Sequence, residues 1–150
     1  MSRPSYPFQK VPFMREEIHS MVMDLRADAA AAADLLADAG EVTIVSHIDA
    51  DGICSEAILS LALGRLGIRV SPVFVRQLEP MTMGAIPTDS SFKLFADLGS
   101  GQQNLLAGHG LSEAEVLILD HHVGQPVEGK AYLEVNALAY GYEKLAASGV

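Results

Sequence analysis

The chain reads as an α/β protein: a parallel sheet of about five strands in the order 2-1-3-4-5, with flanking helices and one helix ahead of the sheet. Three observations carry that reading. Short, mainly apolar runs at 42–46, 92–96 and 116–119 have the length and hydrophobicity of buried parallel strands. They alternate with segments whose apolar residues recur at helical spacing, the pattern of β-α-β units. Pro72 interrupts the run 69–75 and has no N–H to give a central ladder, so that strand belongs at the sheet edge. With strand two outermost, the crevice between strands one and three becomes the switch point where ligands bind.

The elements follow in order. Residues 1–12 form a proline-punctuated arm. Met14, Ile18, Met21, Val22, Leu25, Ala29, Ala32 and Leu36 recur at helical spacing, and Gly40 ends that amphipathic helix, which we expect to pack on the domain. The first strand, 42–46, follows. Ile53, Ala57, Ile58, Leu61, Ala62 and Leu66 mark the inner face of the next helix, closed by Gly67, and Cys54 among them is expected to be a small buried hydrophobe. The stretch 77–87 is either a short helix or a loop, with Met81 and Met83 as gap fillers. Strand three, 92–96, leads to a brief helix at 102–107; strand four is 116–119 and strand five 131–135. His19 and His109 are expected at the surface, and Arg65, Arg69 and Arg76 on a solvated helix end and edge strand.

Three polar strings stand where strands one, three and four end: His47-Ile48-Asp49-Ala50-Asp51-Gly52, Asp97-Leu98-Gly99-Ser100-Gly101 and Asp120-His121-His122. Ligands of parallel sheets collect at the carboxyl ends of the strands, so all three open onto one edge. Their donors are carboxylate and imidazole without thiolate, a set suited to Mn²⁺ or a similar divalent ion rather than to structural zinc. Singly, each string has an ordinary reading: Asp51-Gly52 before Ile53 as a helix N-cap, Asp97 with Gly99 and Gly101 as a tight turn, the histidine pair as surface. Gly99, Ser100 and Gly101 could equally present backbone N–H groups and a hydroxyl to a phosphate. A calcium loop fails, because it would put His47 and Ile58 where oxygen ligands are required, and a strand rather than a helix precedes it.

The series His47-x-Asp49-x-Asp51-Gly52, Asp97, Asp120-His121-His122 resembles the motifs of the DHH phosphoesterases, a superfamily of RecJ-like nucleases, oligoribonucleases, cyclic-dinucleotide phosphodiesterases and pyrophosphatases. The string Asp97-Leu98-Gly99-Ser100-Gly101-Gln102 looks most like its archaeal RecJ-like branch. The resemblance implies two Mn²⁺ or Mg²⁺ ions: His47 and Asp49 holding one, Asp51 and His121 the other, and Asp97 bridging both. It also implies that Asp120 orients the histidines and that His122 touches the substrate phosphate, making these two the catalytic residues. Gly99, Ser100 and Gly101 join His122 as substrate-binding candidates. The family's pyrophosphatases place two more residues between the first His and Asp, which counts against that activity.

One departure stands out. The family carries a further ligating Asp downstream, yet no Asp follows Asp120; Val135-Asn136 resembles the start of that motif with Ala137 in place of Pro, and Glu143 is the next carboxylate after it. The segment 140–145 reads equally as an exposed helix start. We expect residues 1–40 to be an arm and helix, and 41–150 a DHH catalytic domain incomplete at its C-terminal end, inactive as an isolated fragment on long strands. A whole enzyme of this kind would be a RecJ-like exonuclease hydrolysing single-stranded DNA, RNA or short oligonucleotides. The other readings are a small-nucleotide or cyclic-dinucleotide phosphodiesterase, or a non-catalytic interaction subunit among replication or repair proteins.

The 150 residues are 49% hydrophobic, enough for one core, and the formal charge of −9 argues against nucleic-acid binding through net charge alone. Carboxylates committed to ions escape that argument. A single cysteine permits no internal disulfide and suits a reducing cytoplasm. No signal-peptide pattern or membrane-spanning run is present, so a cytoplasmic protein without membrane contact is expected.

Overall fold

A computed structural model describes residues 15–129 and 132–150, with the side chains of the first helix described from Leu25 onward. The 1–12 arm, Met14 and the side chains of Ile18, His19, Met21 and Val22 lie outside the described residues.

Helix α1 (Arg15–Ala37) precedes strand β1 (Glu41–His47), α2 (Ala50–Arg65), β2 (Arg69–Val75), α3 (Pro80–Met83), β3 (Phe92–Ala96), α4 (Gln103–Gly108), β4 (Val116–Asp120) and β5 (Leu133–Asn136). All neighbouring strands run parallel, in the order β2-β1-β3-β4-β5. Pro72 lies opposite Ile44 on the outermost strand, where its missing N–H costs no inner ladder bond.

Alternate side chains of each central strand leave by opposite faces. Val45, Phe95, Val116 and Ile118 enter a cluster with Met83 of α3 and Leu106 of α4. Val42, Ile44, Leu94, Ala96 and Leu117 enter the other, covered by Ala32 and Leu36 of α1 and Leu63 of α2. The described part of the amphipathic stripe, Leu25 to Leu36, thus packs on the sheet.

Helix α2 departs from expectation. Ile53 (48% exposed), Ile58 (54%), Leu61 (65%) and Leu66 (65%) face outward together with Ala57, Ala62 and Cys54, while Gly52, Ser55 and Leu63 are buried. The helix is apolar on nearly every side, so periodicity alone does not choose a face. Close packing at its start does: a Cβ on Gly52 would lie 2.2 Å from the His47 carbonyl oxygen, and the Ser46 hydroxyl donates to the Gly52 carbonyl at 2.7 Å.

Smaller differences follow from local bonds. His109 is half-buried with Nε2 3.0 Å from the Ile86 carbonyl oxygen. Met83 fills the core, whereas Met81 is exposed. The segment 140–145 does not begin a helix: a 3-10 turn, Ala137–Tyr140, ends at Gly141 with φ of 82°.

Candidate metal centre

The three strings meet at the carboxyl edge of β1, β3 and β4. The N-cap of α2 is Asp49, not Asp51: Asp49 Oδ1 accepts from the Gly52 N–H at 3.0 Å, and Asp51 lies in the first helical turn. Capping leaves Asp49 Oδ2 facing His47 Nδ1 at 3.0 Å. The Gly52 N–H, helped by Asp97 and His47, holds the Asp49 carboxyl below its ordinary range.

Asp97 is the centre of the arrangement. It is the sole non-glycine described residue with positive φ, 62°, and is 3% exposed. Its N–H continues the sheet to Leu119 O, and the left-handed turn that follows swings the carboxylate among the other groups. Oδ1 lies 3.1 Å from His121 Nε2, while Oδ2 lies 3.6 Å from His47 Nδ1, beyond hydrogen-bond reach. Among the described residues, Asp97 Oδ2 is the buried side-chain polar atom left without a hydrogen-bond partner. Burial first, then the charges of Asp51 and Asp49, push its carboxyl upward, against the pull of His121. A strained, enclosed carboxylate with an unmet oxygen beside two others calls for a cation.

Two sets of donor atoms, each within 4.8 Å of one another, share Asp97: His47, Asp49 and Asp97, and Asp97, Asp120, His121 and His122. Asp51 stands at the border, Oδ2 3.6 Å from His121 Nε2. Burial would raise its carboxyl, but the Ser148 hydroxyl and the Ser148 and Ala147 N–H groups lower it. The two backbone bonds measure 2.9 and 2.8 Å.

Asp120 is fully buried and hydrogen-bonded at both carboxylate oxygens. Oδ1 accepts from His122 Nδ1 and the His121 N–H, both at 2.7 Å, and Oδ2 from the Ser100 N–H at 3.1 Å. Both oxygens of this carboxylate are therefore already engaged by neighbouring donors. Of the 99–101 turn, Ser100 is fully buried: its hydroxyl donates to Glu134 at 2.6 Å, so it has no proton to offer a phosphate. Gly99 is buried too, its φ of 115° setting it against Ile118 and Phe95, and Gly101 is half-exposed.

Glu143 is exposed and belongs to neither donor set. Gln103, Glu134 and Asn136, which hydrogen-bond beneath the histidine loop, escaped the reading of the sequence except for Asn136 as the start of a motif. The signal available was position: Asn136 ends β5 on the same carboxyl edge.

The donors present fit a divalent ion that accepts mixed oxygen and nitrogen ligands, with the unmet Asp97 oxygen as the strongest indication. Comparison with solved structures gives likenesses to the exonuclease RecJ bound to manganese (25% identity, TM-score 0.66) and to RecJ from Thermus thermophilus in complex with Mn²⁺ (24%, 0.62). Each covers 84% of this chain, which spans 34% and 19% of those proteins. The DHH domain of a protein from a ribosomal-protein family is similar at 16% identity and TM-score 0.55, covering 90% of this chain and 39% of its own. A search of curated protein sequences returned no match. The family model for the DHH family N-terminal domain matches residues 41–150, and the chain belongs to the DHH family.

Proposed function

We propose that this chain carries the metal-binding part of a phosphodiesterase that hydrolyses single-stranded nucleic acid or short oligonucleotides, a reading supported by its likeness to the exonuclease RecJ. The observation that carries the reading is Asp97, left-handed, enclosed and one oxygen short of a partner at the meeting point of three strand ends.

In this reading His47, Asp49 and Asp97 hold one Mn²⁺ or Mg²⁺, and Asp51, Asp97 and His121 the other. When bound, such a pair supplies Lewis acidity to the phosphoryl oxygens and lowers the pKa of water. The chain's own groups do the rest. Asp49 stays ionised because the α2 N-terminus supplies its N–H, and Asp51 because the Ala147 and Ser148 N–H groups face it. Asp120 fixes the His122 ring through Nδ1, which leaves Nε2 free to face a phosphate oxygen. His122 is exposed enough to reach substrate, its side chain 57% accessible. With Ser100 occupied internally, the remaining contact in that turn falls to Gly101.

Calorimetric titration with Mn²⁺, followed by hydrolysis of a labelled dinucleotide and labelled single strands, tests the reading. The expected result is two ions bound and dinucleotide cleavage that requires them. Failure to bind Mn²⁺, or cleavage unaffected by Asp97→Asn, would overturn it. A small-nucleotide phosphodiesterase would use the same residues, so cyclic dinucleotides belong in the panel. Among the described residues no helix is long and apolar enough to cross a membrane.

A further inference from the structure

Behind the histidine loop lies a polar cluster that holds no position in the donor sets. Glu134 on β5 accepts at both carboxylate oxygens: Oε1 from the Ser100 hydroxyl at 2.6 Å and the Asn136 amide at 2.8 Å, Oε2 from the Gln103 amide at 2.8 Å. These donors come from the turn after β3, from the end of β5 and from the first residue of α4. Ser100, Gln103 and Asn136 are buried, 0%, 3% and 5% exposed, so none can turn to solvent if its acceptor is lost. The Asn136 amide also reaches the His122 carbonyl oxygen at 2.8 Å, and the Ser100 N–H holds Asp120 at 3.1 Å.

We propose that Glu134 is a positioning residue for the histidine loop: it fixes Ser100 and Asn136, and through them the Asp120–His122 pair. The inference rests on the reading of His122 as the phosphate contact, but the positioning itself is a property of the metal-free protein. The Ser100 hydroxyl has one proton, which goes to Glu134, and that choice turns a lone pair toward Asn136. Asn136 has two amide hydrogens for three acceptors, so their sharing sets where the His122 carbonyl lies. Taking Glu134 away leaves two buried donors without acceptors, and the turn carrying the Ser100 N–H must shift to find others. Asp120 then loses the bond on Oδ2 that keeps Oδ1 aimed at His122.

The His122 Nδ1 proton, observed by NMR in metal-free protein, reads this directly, since its exchange with water depends on the bond to Asp120. Glu134→Ala should speed that exchange at least tenfold and lower turnover of a dinucleotide by about tenfold. Glu134→Gln should stay within threefold of wild type, because its carbonyl oxygen replaces Oε1 and Gln103 can turn its amide over to meet the new NH₂. Ser100→Ala should reproduce the Glu134→Ala effect, and the double variant should add little, as expected of residues acting along one chain. Mn²⁺ affinity at the His47, Asp49 and Asp97 set should change less than threefold throughout.

An unchanged His122 signal in Glu134→Ala overturns the proposal, whatever the activity. If that variant does not fold, an unchanged signal in Ser100→Ala overturns it, as does a loss in Glu134→Gln equal to that in Ser100→Ala. Absence of Mn²⁺ binding in the wild type would sink the functional reading and leave the NMR comparison to judge the positioning alone.

Discussion

Asp97 combines a backbone conformation that Asp tolerates better than most residues with a burial that its charge resists. A cation relieves both the unmet oxygen and the repulsion from Asp49 and Asp51. Asp97→Asn should therefore leave the metal-free protein at least as stable as wild type, since Asn also accepts positive φ, while abolishing the rise in melting temperature that Mn²⁺ produces. Differential scanning calorimetry with and without Mn²⁺ checks both halves, and a retained Mn²⁺ shift would contradict the bridging role. The two histidines should separate as well. His121 faces Asp97 and Asp51, whereas His122 faces Asp120. His121→Ala should weaken Mn²⁺ binding at least tenfold; His122→Ala should keep its ions and lose turnover. Metal content and rate measured on the same samples decide it, and equal metal loss in both would reverse the roles.

At the level of elements, the junction of β1 and α2 is where fold and site are one construction. Gly52 must be small because the His47 carbonyl occupies the space of its Cβ. Gly52→Ala should cost about 1–3 kcal/mol in urea unfolding, the range of overpacked sites. It should also weaken Mn²⁺ binding, since relief requires moving His47 or Asp49. At the opposite end of the sheet, Lys93 is buried on β3, with Nζ on Asp89 Oδ1 at 2.8 Å and on the Asp89 carbonyl at 3.0 Å. Lys93 first, then Ser91, hold the exposed Asp89 carboxyl down to about 2. A depressed carboxyl supports the fold above its ordinary value of 3.8, and that support disappears as the pH falls toward 2. Asp89→Asn should thus be less stable than wild type at pH 6 and converge with it near pH 2, as equilibrium unfolding at the two pH values would show. A gap that persists at pH 2 would mean that the carboxylate charge is not the cause.

On the scale of the whole molecule, three strand ends bring the donors together, so ion binding should stabilise the entire domain rather than a loop. At a Mn²⁺ concentration ~100 times Kd, one site adds about 2.7 kcal/mol. For a domain of this size that corresponds to a rise of roughly 5–10 °C in Tm. Asp51→Asn should keep part of that rise, because His47, Asp49 and Asp97 remain grouped without it. Loss of the whole rise in Asp51→Asn would mean that the two sites fill as one.

The parallel sheet, its order and the convergence of the three strings were legible in the sequence itself. Strand length, alternation with helices and Pro72 depend on local chemistry, and the right-handed crossovers leave few alternatives once an edge strand is known. The outward face of α2 and the roles of Ser100 and Glu134 were not legible. An all-round apolar helix carries no periodic signal for its buried side, and its orientation came from the contact of Gly52 with His47. Ser100 reads as a phosphate donor in a glycine turn; only the fold, by setting Glu134 of β5 against it across 34 positions of sequence, gave its proton another destination. The left-handed turn at Asp97 likewise depends on strands paired on both sides of β3. Short-range pattern determines which elements form and where their polar ends lie, whereas hydrogen-bond partners distant in the chain decide which polar groups remain available for chemistry.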